Sequence, residues 1–113
     1  GDILSDLGPA CTGTIGIAPS GNINPENKYP SLFEPVHGSA PDIAGQNIAN
    51  PIAMALSTAM LLRIGLNEIE AAEMLESAID KVLNKGFRTS DLDDGRSKIL
   101  SCTQMGEKII QEI

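Results

Sequence analysis

Two groups of residues in this 113-residue chain have types and spacings suited to chemistry. Asp2 and Asp6 stand four apart, so on a helix their carboxylates share a face and reach one hard divalent cation. The same D-x-x-x-D spacing also suits a helix cap followed by a solvated side chain, and spacing alone leaves both readings open. The second group is denser. A loop after Glu34 gathers the only histidine, His37, with Gly38, Ser39, Ala40, Pro41, Asp42, Ile43 and Gly45, and runs on to Asn50. Its glycines let the backbone approach a ligand, Ser39 and free N–H groups can meet phosphate or ribose, and Asp42 can accept two hydrogen bonds from a diol. Taken alone, His37 reads first as a satisfied core or turn histidine, and it is the cluster around it that shifts the balance toward a ligand. The loop is not a G-x-G-x-x-G fingerprint, so a Rossmann nucleotide fold is not supported.

The elements that position these residues divide the chain in two. Residues 1–50 carry 6 of the 7 prolines, 7 of the 11 glycines, and five acids against one base, Lys28. That composition predicts turns, loops and short strands, with strands at Gly13 to Ala18 and Ser31 to Val36 and a short helix at Ile3, Leu4 and Leu7. Residues 51–113 predict three helices. Asn50-Pro51 caps the first, an almost wholly apolar and therefore central helix with Gly65 as its stop. Asn67 with Glu70 opens the second, whose stripe runs Ile69, Ala72, Leu75, Ile79 and Val82 and ends at Gly86. Ser101 with Gln104 caps the third, with a narrow seam at Met105, Ile109 and Ile113.

Composition removes several function classes. The hydrophobic fraction is 42%, with Phe33, Phe87 and Tyr29 the only aromatics, so a single domain with an aliphatic core is expected. Fifteen acids against eight bases give a net charge of −7, which repels nucleic acid and anionic bilayers. The longest apolar run, Pro51 to Leu62, is too short for a membrane span. Cys11 and Cys102 have neither zinc-ligand nor disulfide-framework spacing, so a reducing, cytoplasmic setting is expected. The start at Gly1, with neither initiator Met nor leader, suggests a piece of a longer protein.

An ordered set of segments carries a specific resemblance: Gly1-Asp-Ile-Leu-Ser-Asp6, Thr12-Gly-Thr-Ile-Gly-Ile-Ala-Pro-Ser20, Phe33-Glu-Pro-Val-His-Gly-Ser-Ala-Pro-Asp-Ile-Ala-Gly45, Asn47-Ile-Ala-Asn-Pro51, Arg88-Thr-Ser-Asp-Leu92 and Thr103-Gln-Met-Gly106. Together they resemble the β-decarboxylating dehydrogenases, the isocitrate and isopropylmalate dehydrogenase family, nearest its tartrate, D-malate and isopropylmalate branch. The resemblance spans essentially the whole chain. It implies an α/β fold, mostly helical with a few short strands, of which residues 1–113 form a single C-terminal segment: metal and cofactor loops over 1–50, helices over 51–113.

By the same resemblance, Asp2 and Asp6 match paired metal ligands for Mg²⁺ or Mn²⁺. His37 and Asn50 match adenine contacts, Gly38, Ser39, Ala40 and Pro41 a backbone wrap of the adenosine, and Asp42 the acceptor of the ribose hydroxyls. Asp42-Ile43 implies NAD, because NADP-using relatives place a Lys-Tyr pair there and a carboxylate repels a 2′-phosphate. Gly16 and Ser20 would lie beside the rest of the cofactor and Glu34 near its nicotinamide end, or all three would serve a turn or strand. The implied whole is a homodimeric NAD- and metal-dependent oxidoreductase acting on a 2-hydroxy dicarboxylic acid. Its acid-base residues would lie upstream of Gly1, so the chain alone would be inactive. The alternative is a non-catalytic nucleotide-binding or regulatory subunit of the same family.

Overall fold

The structure, a computed structural model, describes residues 17–113. The expectations for Asp2, Asp6 and Gly16, the helix at residues 3–7 and most of the strand at residues 13–18 fall outside them. Two short strands, β1 (Pro19–Asn22) and β2 (Leu32–Pro35), form an antiparallel hairpin, with Ser20 opposite Glu34 and Gly21 opposite Phe33. A 3-10 turn at Pro41–Ile43 interrupts the loop that follows. Then come the helices α1 (Ile52–Met60) and α2 (Ile69–Asn84), a two-residue parallel pair of β3 (Phe87–Arg88) with β4 (Lys98–Ile99), and α3 (Cys102–Glu112). The dominant helices are present and β2 lies within the strand expected at Ser31 to Val36. β1 starts just beyond the segment expected at Gly13 to Ala18, of which Ile17 and Ala18 are described and neither is in a strand.

All three helices contribute to the core. Ile52 of α1, Ala78, Ile79 and Val82 of α2, and Met105 and Ile109 of α3 form one buried aliphatic cluster, with Phe87 packed at its side. The hairpin sits on α1 through Phe33, where two glycines allow the close approach. A Cβ on Gly21 would fall 2.9 Å from Met60 Sδ, and one on Gly65 3.2 Å from the Phe33 ring.

The helix boundaries follow local capping chemistry in most places. Ser101 and Gln104 form both bonds of a capping box. Gly86, at φ 86°, ends α2 in the left-handed conformation that glycine adopts without steric cost. Asn50 Oδ1 accepts the Ile52 N–H at 2.9 Å, which satisfies one free donor at the start of α1.

The first helix changes form before it ends. The α-helical part closes at Met60 and a π-helical turn, Leu61–Gly65, follows, closed by Leu66 N–H donating to the Leu61 carbonyl at 3.0 Å, so the helical run ends at Gly65 as expected. One boundary differs from expectation: Asn67 does not cap α2. It takes a left-handed φ of 56°, incompatible with the extended backbone of an N-cap, and Glu68 holds the cap position without a side-chain bond.

Burial also departs from the pattern at three places. α1 buries Ile52, Ala53, Ser57 and Ala59 but leaves Met54 54% exposed, because among the described residues only one of its faces is covered. Ile113 is 58% exposed, so the α3 seam ends at Ile109, and Ile69 at the head of the α2 stripe is also exposed. Among the described residues no helix is long and apolar enough to cross a membrane.

Candidate nucleotide-binding cleft

The loop from His37 to Asn50 forms one wall of a cleft of about 880 Å³, closed on the far side by Ser90, Asp91 and Cys102. Three left-handed residues shape that wall: Ala40 at φ 45°, Gly45 at 80° and Asn47 at 57°. Glycine suits this region and asparagine tolerates it, whereas Ala40 is the strained member. Short internal bonds fold the loop on itself. Ile43 N–H donates to the Ala40 carbonyl, Gln46 N–H to the Ile43 carbonyl, and Gln46 Nε2 to the Asp42 carbonyl.

β2 delivers His37 to the mouth of the cleft, and the preceding Val36 N–H is fixed to the Ala18 carbonyl at 3.0 Å. The His37 Nδ1 lies 2.8 Å from the Gly38 carbonyl, an acceptor, so Nδ1 carries the proton and Nε2 is left to meet a ligand. Among the described residues, no hydrogen bond uses the N–H of Gly38, Ser39 or Ala40, and none reaches the Asp42 carboxylate. Among the described residues these donors and this double acceptor have no partner, and they lie beside a largely apolar cavity. Such a combination suits the adenosine end of a dinucleotide, with N–H groups and a carboxylate available to ribose and phosphate oxygens.

Of the residues predicted from the sequence, His37, Gly38, Ser39, Ala40, Ile43 and Asn50 line the cleft together. Pro41 and Asp42 are exposed in the adjoining 3-10 turn and do not line it. Ser20 and Glu34 pair across the hairpin and are not among the residues that line this cleft. Asn50 has both ends of its amide engaged, with Oδ1 on Ile52 and Nδ2 donating to Asp91 Oδ2 at 3.1 Å. It therefore joins the cleft's two walls as well as lining it. Asp91 is held further by the Thr89 hydroxyl, and Thr89 is fully buried.

Sequence reading did not select Asn47, Ser90, Asp91 or Cys102, all of which line the cleft. Three of them are distant in sequence from the loop, and no local pattern marks such a long-range contact. Among the described residues no cluster of three His, Cys, Asp or Glu side chains could hold a metal ion.

The cleft is carried on a loop at the edge of a helix layer in a small α/β unit, and comparison with known proteins gives the family. The sequence pattern described as isocitrate/isopropylmalate dehydrogenase matches residues 1–109. The chain is 68% identical over 113 residues to the 3-isopropylmalate dehydrogenase of Prochlorococcus marinus subsp. pastoris, covering 100% of this chain and 31% of that protein. It is 52% identical over 110 residues to the 3-isopropylmalate dehydrogenase of Synechocystis sp., covering 97% of this chain and 30% of that one. Among solved structures, isocitrate dehydrogenase from Methylococcus capsulatus superimposes with a TM-score of 0.84 at 41% identity, over 98% of this chain and 31% of that one. The chain belongs to the isocitrate/isopropylmalate dehydrogenase family and spans about a third of the length of the curated relatives it matches. Those coverages measure a share of length and do not bear out the C-terminal placement expected from the sequence.

Proposed function

We propose that this chain is the cofactor-binding part of an isopropylmalate dehydrogenase-like enzyme that oxidises and decarboxylates a 2-hydroxy dicarboxylic acid with NAD, acting as a cytoplasmic homodimer. The observation that carries this reading is the cleft beside His37, where, among the described residues, the N–H groups of Gly38 to Ala40 and the Asp42 carboxylate of the adjoining turn have no hydrogen-bond partner. In this reading the Gly38–Ala40 backbone and His37 Nε2 meet the adenosine, and Asp42 accepts the ribose 2′ and 3′ hydroxyls. A 2′-phosphate in the same place would meet the Asp42 carboxylate, so the site favours NAD over NADP. Asp2 and Asp6 are the proposed ligands of Mg²⁺ or Mn²⁺. Such an ion, when bound, supplies charge stabilisation to the substrate oxygens as the hydroxyl is oxidised and CO₂ leaves.

The test is steady-state assay of the full-length protein with isopropylmalate, tartrate, D-malate and isocitrate, each with NAD⁺ or NADP⁺ and Mg²⁺ or Mn²⁺. The expected result is NAD⁺ reduction with isopropylmalate and little with NADP⁺. Asp42→Ala should raise the KM for NAD⁺ by about tenfold or more, the loss expected for charge-assisted bonds to a diol. No reduction of NAD⁺ with any of the four acids overturns the proposal.

A further inference from the structure

The loop that forms the cleft wall has almost nothing of its own to hold it in place. From His37 to Ala49 every side chain is exposed except that of Ile43, which is half-buried, so packing contributes little to its position. Hydrogen bonds must supply the rest, and most of them run within the loop. Among the described residues, the only hydrogen bonds from the interior of this loop to another segment are made by Asn47.

Those bonds form a three-point clamp on the start of α3, more than fifty residues along the chain. The Asn47 carbonyl accepts from Cys102 N–H at 2.9 Å. Its side-chain Oδ1 accepts from Thr103 N–H at 3.1 Å and from the Thr103 hydroxyl at 3.0 Å. The residue holds this grip in a left-handed backbone, φ 57°, and Oδ1 is aimed at two donors that a glycine or alanine there would leave without it. Asn47 also lines the cleft.

We infer that Asn47 is a positioning residue for the cofactor. It docks the His37–Asn50 loop against α3, so that the free N–H groups and the Asp42 carboxylate are already in place when the dinucleotide arrives. This role rests on the NAD-binding reading above. Its effect falls on cofactor affinity, because the clamp sets the loop position before binding, and leaves the chemical step alone.

Three substitutions in the full-length protein separate the side-chain clamp from the backbone. Asn47→Gly keeps the left-handed conformation without strain but removes Oδ1, Asn47→Ala removes Oδ1 and adds strain, and Asn47→Asp keeps an acceptor at the same atom. Each is measured for NAD⁺ dissociation constant, for KM and kcat, and for melting temperature. The expected result is a five- to twentyfold rise in Kd and KM for NAD⁺ in Asn47→Gly and Asn47→Ala, kcat within twofold, and recovery to within threefold of the original in Asn47→Asp. If Asn47→Ala does not fold, Asn47→Gly still decides. An active original protein whose Asn47→Gly variant binds NAD⁺ unchanged overturns the positioning role alone. A loss of kcat with unchanged KM overturns it too. An original protein that neither binds nor reduces NAD⁺ overturns the cofactor reading, and this role with it.

Discussion

The three helices bury Ile52, Val82 and Met105 almost completely, whereas residues 37–50, beside them, bury no side chain at all. Between residues 17 and 50 only Ala18 is buried. The helix layer is held by apolar burial, which has no direction and is shared among many contacts. The loop is held by a few directed bonds from Asn47 and Asn50, and three left-handed residues set its path. The difference separates stability from function. Losing one contact in the first region costs stability, and losing one bond in the second moves the cleft wall.

The largest expected effect tests the first half of that contrast. Met105 is fully buried at the centre of the three-helix cluster, and Met105→Ala should destabilise the domain by about 2–5 kcal/mol. Urea unfolding of the full-length protein measures this, with the KM for NAD⁺ expected to stay within twofold under conditions where the protein is folded. A tenfold rise in KM would show that the core and the cleft are one mechanical unit and break the comparison.

Ser101→Ala sharpens it with a smaller perturbation. The substitution removes the side-chain half of the capping box at the start of α3 and should cost about 1 kcal/mol. Because Asn47 grips the next two residues, this is the point at which the helix layer and the loop share a structure. A parallel small rise in the NAD⁺ dissociation constant, below that of Asn47→Gly, is expected, and its absence would mean that the clamp does not depend on the cap.

The smallest effect is a pH dependence outside both regions. Hydrogen bonds from the Ser97 hydroxyl and the Arg96 N–H hold the Asp94 carboxyl below its ordinary range. A carboxylate with a depressed folded-state pKa stabilises the fold above its unfolded pKa, and that contribution disappears as pH falls through the folded value. Acid unfolding of Asp94→Asn should therefore lack a shallow component at the acidic end that the original protein shows, with no difference between the two slopes near neutrality. Equal slopes throughout would show that the turn is not fixed by this carboxylate.

The parts of the fold readable in the sequence were those with local causes. Ser101 with Gln104, Gly86 and Asn50 each act within four residues of the boundary they set, and each does so in the structure. The α2 stripe was readable for the same reason, since helical periodicity places Ala72, Ile79 and Val82 on one buried face. The failures had distant or competing causes. Asn67 carries a capping side chain, yet the backbone leaving the π-turn requires a left-handed residue there, and asparagine answers that demand instead. β3 and β4 contain two residues each, too few for an alternating pattern. In the cleft, the loop wall could be recognised from its own residues. The opposite wall, Asp91 and Cys102, could not, because the long-range fold alone brings it there.

The parallel pairing of β3 with β4 carries a consequence for how the segment between them can vary. Lys98 N–H donates to the Gly86 carbonyl and Leu100 N–H to the Arg88 carbonyl, so the two strands are laced together just beyond the end of α2 and just before α3. The spacing of those helices is set by this lacing and not by the length of the segment strung between the strands. Residues 93–96 are exposed and bridge two anchored points, so insertions or deletions there leave the helices where they are. Segment 93–96 is in this sense an interchangeable part on a fixed chassis, while Asp91, tied to Thr89 and Asn50, stays with the helix layer beneath.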